Sequence, residues 1–155
     1  MEWLQILGPS LLIILGGLIT WFVKSKTEEL QATEKKLLDE RRKIYEKILE
    51  PYIQLFSDLK NSDDTMKKIV SFDYKKTSFD LYLFGSDSVV KAYNQLMQCA
   101  FKNEALKTQD PRTYMTLWAN FFLEIRKSLG NKRTKLSNID MLKGWIKDID
   151  KIISN

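Results

Sequence analysis

Between residues 3 and 23 the chain carries no charged residue, and this stretch, WLQILGPSLLIILGGLITWFV, constrains the fold more than any other. As a helix it reaches roughly 31 Å at 1.5 Å per residue, matching a bilayer hydrocarbon core of about 30 Å. Trp3 and Trp21 bracket it, and amphipathic indole rings settle at the two headgroup layers of a membrane. A cleavable signal peptide would have a basic leader, a shorter apolar core and small residues before the cut. Here the leader is Met1-Glu2 and the run ends in Trp21-Phe22-Val23. The sequence therefore predicts an uncleaved transmembrane helix over residues 3–23.

The flanks predict its orientation. Lys24 and Lys26 follow the span at once, with Lys35, Lys36, Arg41, Arg42 and Lys43 behind them, whereas the N-terminal side has only its amine and Glu2. By the positive-inside rule the N-terminus lies outside and residues 24–155 lie in the cytoplasm, giving a single-pass protein of the inner membrane with the lipid bilayer as its first partner. One cysteine and no N-x-S/T sequon agree with a reducing compartment. Within the span, Gly16 and Thr20 form a small-xxx-small pair and Gly17 adds a further site of close approach. Such a face packs helices in lipid and predicts a homo-oligomer, although glycine is also simply common in membrane helices.

Residues 24–60 are rich in Glu, Lys, Arg and Leu and read as a helical stalk joining a bundle. Leu30, Leu37 and Ile44 recur every seven residues, but Glu34 and Arg41 occupy the alternate seam, which is thin evidence for a coiled coil. Ser25 to Glu28 has capping-box spacing, so the helix either restarts there or runs unbroken from the span. Pro51 is expected to bend or end it.

Residues 61–155 read as a cytoplasmic helical bundle. Asn61 to Asp64 is a cap cluster, and a helix is predicted from about Thr65 to Phe84, stopped by Gly85. A third helix starts at Ser86-Asp87 and carries Val89, Val90, Tyr93, Leu96 and Met97 at helical spacing. Asp110-Pro111 starts a fourth, with Tyr114, Trp118, Phe121, Phe122 and Ile125, ended by Gly130-Asn131. A last helix is predicted from Ser137, with Asp140 at capping-box spacing and Met141, Leu142, Trp145, Ile146 and Ile149 on one face. No Asn-Gly or Asp-Gly hairpin signal occurs, so the fold class is all-α.

Chemistry is scarce. There is no histidine and one cysteine, Cys99, which removes imidazole acid–base catalysis, His/Cys zinc sites and CxxC redox pairs together. No P-loop or GxGxxG pattern occurs. The pairs Asp63-Asp64 and Asp148/Asp150 read as a cap and a solvated face. The expectation is a non-enzyme with no cofactor, no metal and no catalytic residue.

The basic excess is the one feature that points to a partner. Residues 24–155 hold all 25 basic residues and 19 of the 20 acidic ones, since Glu2 precedes the span, a formal +6. The excess gathers beside the span, where Lys24 and Lys26 would meet anionic headgroups, and in the loop GNKRTK with Lys132, Arg133 and Lys135; Lys143 follows. Specific nucleic-acid binding needs more phosphate contacts than such a loop provides and is disfavoured.

The stretches LYLFGSDSVVKAYNQL, residues 81–96, and FFLEIRKSLGNKRTKLSNIDMLKGWIKDID, residues 121–150, resemble small all-helical proteins of unknown function from bacteria, mobile elements and phages, often with an N-terminal membrane helix. The resemblance implies a role in host–phage conflict or stress and carries no catalytic residues. The leading expectation is a membrane-anchored protein acting by oligomeric assembly and partner binding, as a membrane-acting effector in phage defence beside a separately encoded sensor or enzyme. The second is a membrane-tethered adaptor that binds nucleic acid or an acidic protein through Lys132, Arg133, Lys135 and Lys143.

Overall fold

Among the described residues, the helix-forming segments condense into helices and a short turn. The computed structural model describes residues 2–57, 67–106, 110–147 and 149, with no account of the side chains of residues 2–14, 55–56 and 104–106. The elements are α1 (Glu2–Ser57), α2 (Phe72–Phe84), α3 (Asp87–Leu106), α4 (Pro111–Ser128) and a 3₁₀ turn (Ile139–Met141). Among the described residues there is no strand, as the sequence predicts. Two compact units divide the chain, residues 1–39 and 40–155.

In residues 1–39 the transmembrane expectation is corrected: among the described residues no helix is long and apolar enough to cross a membrane. The uncharged stretch of residues 3–23 forms the start of α1. Beyond it the same helix carries Lys24, Lys26, Glu28 and Glu29 without a break. The charges pair along the helix, Lys24 with Glu28 at 3.9 Å and Lys26 with Glu29 at 2.8 Å. The single-pass topology, the outside N-terminus and the inner-membrane location lose their basis with the span.

Trp3, one half of the expected aromatic bracket, lies outside the described side chains, and Trp21 is exposed. A Cβ added at Gly16 or Gly17 would meet nothing within 4 Å, so no described part of the chain itself packs there. The Thr20 hydroxyl turns inward and donates to the Gly16 carbonyl at 2.8 Å. Ser25 is interior to α1, so the helix runs on rather than restarting.

Residues 40–155 form the bundle. On α1 the adjacent Ile44 and Tyr45, and then Ile48 and Tyr52 at successive turns, are buried. They pack with Tyr74 and Leu81 of α2, Val89, Ala92, Tyr93 and Leu96 of α3, and Trp118, Ala119, Phe121 and Ile125 of α4. Leu142 and Ile149 close the core. Trp118 lies at its centre, its ring 4.2 Å from Tyr52 and within 6.3 Å of Tyr114, Phe121 and Phe122. Edge-on and tilted geometries prevail because they match the positive ring edge to the negative face.

Three boundaries differ from expectation. Pro51 does not end α1, which continues to Ser57. Pro51 has no N–H to offer the Lys47 carbonyl, and both residues line an open cleft of about 530 Å³ together with Glu50, a place that water can reach. The helix predicted from Thr65 is interrupted at Val70-Ser71, because Ser71 caps a new one and accepts from the Tyr74 amide at 3.2 Å. The cap cluster Asn61 to Asp64 lies outside the described residues.

Over residues 137–147 the predicted last helix gives way to the 3₁₀ turn and further turns, while residue 149 is helical. Its capping box does form, Ser137 donating to Asp140 from both amide (2.8 Å) and hydroxyl (2.7 Å). After it, the Trp145 and Ile146 amides both bond the Leu142 carbonyl, a tightened turn that sinks Leu142 into the core.

Candidate functional site

The site grows from the end of α4. Gly130 has φ of 110°, in the left-handed region, and its amide bonds the Lys127 carbonyl at 3.2 Å while the Asn131 amide reaches Arg126 at 3.3 Å. This paired closure satisfies the last helix carbonyls and reverses the chain. The Arg126 Nε–H then donates to the Thr134 hydroxyl at 3.3 Å, pinning the loop to the helix that precedes it. Lys132 and Arg133 are thereby presented beside the cationic last turn of α4, where Arg126 and Lys127 offset the negative helix end.

Two other elements meet the same place. Arg41 of α1 donates from Nε to the Phe84 carbonyl at 2.7 Å, which ties α1 to the end of α2. Gly85 permits this junction, since a Cβ there would collide with the Leu81 carbonyl oxygen. One turn past Arg41, the buried hydroxyl of Tyr45 accepts from the Ser86 amide at 3.2 Å and shares a hydrogen bond with Ser128 Oγ at 2.8 Å. Tyr45 thus fastens the start of α3 to the end of α4.

Above this junction opens a cleft of about 400 Å³, lined by the cations Arg41, Lys127 and Lys132, the hydroxyls of Ser86, Ser88 and Ser128, and one carboxylate, Glu124. Glu124 is occupied by Lys127 at 2.6 Å. Lys132 also lines an adjoining cleft of about 410 Å³ with Arg133. Among the described residues no carboxylate pairs with Lys132, Arg133 or Lys135. Hydroxyl and cationic donors around a cleft with no unpaired lining carboxylate suit an anionic group.

Of the residues expected at a partner site, Lys132 and Arg133 stand at these clefts and Lys135 is exposed in the same loop. Lys143 lines neither cleft and pairs with Asp140 at 3.4 Å beside the 3₁₀ turn. Sequence reading missed Arg41, assigned to the flank of the span, and Lys127, whose periodic position says only that it is polar. Cys99 is half-buried, and Asn103 donates to its sulfur at 3.8 Å. Among the described residues no group of His, Cys, Asp or Glu could hold a metal ion.

No protein family, no curated protein and no solved structure matches the chain.

Proposed function

We propose that the protein is a non-enzymatic helical binding module that holds an acidic segment of a partner protein in its basic cleft. The observation that carries this reading is the convergence of Arg41, Lys127 and Lys132, from α1, α4 and the loop after it, on one opening whose only carboxylate is already paired. With Lys127 shared by Glu124, the Arg41 guanidinium and the Lys132 ammonium leave the lining a net positive charge that matches one or two carboxylates arriving together. Tyr45 and the Gly130 reversal hold these cations in place before the partner arrives, which lowers the ordering cost of binding. The same cluster is small for nucleic acid, where specific complexes commonly engage about 6–10 phosphates.

The test is titration of the full chain with a fluorescent Glu/Asp-rich peptide and, separately, with a single-stranded oligonucleotide. The peptide is expected to bind in a salt-sensitive manner, and the double substitution Lys132→Glu, Arg133→Glu to weaken it about tenfold or more, some 1.4 kcal/mol. Peptide affinity unchanged by that double substitution sinks the reading. Tight oligonucleotide binding with a steep salt slope and no peptide binding would move the site to the nucleic-acid class.

A further inference from the structure

Helix α2 has two apolar faces. The inner one carries Tyr74 and Leu81 into the core, with Ser78 bonded to the Tyr93 hydroxyl at 3.1 Å. The outer one presents Phe72, Phe79 and Leu83, which are 79%, 69% and 72% exposed. At 100° per residue Phe72, Lys76, Phe79 and Leu83 fall within an arc of about 60°, so they form a single stripe. Scattered exposed apolar side chains are ordinary, whereas two phenylalanines and a leucine aligned on so short a helix make a patch that marks an interaction surface.

We propose that this stripe is the interface on which a second copy of the chain docks, with the two α2 helices antiparallel about a two-fold axis. The spacing supplies the first argument. The steps 72 to 76, 76 to 79 and 79 to 83 are four, three and four, which read the same in both directions, as a two-fold interface requires. With the axis midway between Lys76 and Phe79, Phe72 of one copy lies over Leu83 of the other, and the Lys76 stem lies over the Phe79 ring.

Charge supplies the second argument. Lys76 and Asp80 share one flank of the stripe, and a two-fold axis perpendicular to the paired helices brings like flanks together. Lys76 of each copy then stands one residue's rise, about 1.5 Å, from the level of Asp80 of the other, within reach of two ion pairs. Among the described residues neither side chain makes an ion pair within its own copy. A parallel pair would set Lys76 level with Lys76, a like-charge contact that works against that arrangement. This surface stands apart from the basic cleft and does not depend on its occupant.

The experiment is sedimentation equilibrium of the full chain across micromolar to millimolar concentration. Wild type is expected to pass from monomer to dimer, and Phe79→Glu to stay monomeric over the same range with an unchanged far-ultraviolet circular dichroism spectrum. Lys76→Asp and Asp80→Lys are each expected to weaken association about tenfold. The two together should restore it, because the swapped charges meet again across the axis. A wild type that stays monomeric, a Phe79→Glu chain that dimerises as wild type does, or a double charge swap no better than either single one would each overturn the proposal.

Discussion

The hydroxyl of Tyr45 bonds the Ser86 amide and Ser128 Oγ from a side chain only 1% exposed, so Tyr45→Phe removes two bonds without opening a cavity. A buried amide left without its acceptor costs about 1–3 kcal/mol, and the urea midpoint is expected to fall accordingly. Trp118→Ala is costlier, about 3–5 kcal/mol in the same measurement, because the ring touches four aromatic neighbours and leaves a cavity.

Tyr52 and Tyr74, bonded hydroxyl to hydroxyl at 3.1 Å, have their ionisation pushed well up, first of all by burial. Because the folded state holds these protons more tightly, the stability they contribute is complete below the unfolded value of about 10 and is lost as pH rises beyond it. In a spectrophotometric titration of the six tyrosines, these two are expected to ionise only as the protein unfolds.

At the scale of the element, local chemistry settles where helices start and stop. Asp110 and Pro111 open α4 as read from sequence, the Asp110 carboxylate accepting from the Thr113 amide at 3.3 Å. Hydrogen bonds from Thr113 hold Asp110 below the ordinary carboxylate range, and hydrogen bonds from Ser137 do the same for Asp140. For groups shifted this way the stabilisation is present above the unfolded value and lost as pH falls through the folded one. Replacing both by Asn, itself a good cap, is expected to flatten the loss of thermal stability below about pH 4.

Gly130→Ala puts a Cβ at a positive φ and should cost roughly 1–2 kcal/mol in the urea midpoint while loosening the loop that presents Lys132. Where the sequence misled, a local competitor was overlooked. Ser71 offers a cap inside a run that otherwise looks continuous, and the 3₁₀ turn follows a correctly placed capping box because burying Leu142 governs the backbone beyond it.

At the scale of the whole molecule, every described core residue from Ile44 to Ile149 belongs to residues 40–155. A chain beginning at Glu40 is therefore expected to unfold in one transition at the midpoint of the full chain; a midpoint lowered by several degrees would show that residues 1–39 contribute to the fold. Periodicity and caps determined the all-helical class, most of the helix positions and the aromatic core, since each depends on residues within a few positions of one another. They also exposed the loop Lys132-Arg133 as a cationic feature.

Tertiary structure decided the rest. Hydrophobic length and composition pointed to a span over residues 3–23, but among the described residues no helix is long and apolar enough to cross a membrane, and the stretch continues as a charged helix. The basic cleft needs Arg41 brought to Lys127 and Lys132, and the stripe on α2 became visible only once Tyr74 and Leu81 had taken the inner face. Periodicity records that a residue is apolar or charged and how it is spaced from its neighbours along the chain. Which face is covered, and which distant charges share an opening, follows from packing among segments far apart in sequence, and that is settled only when the chain closes on itself.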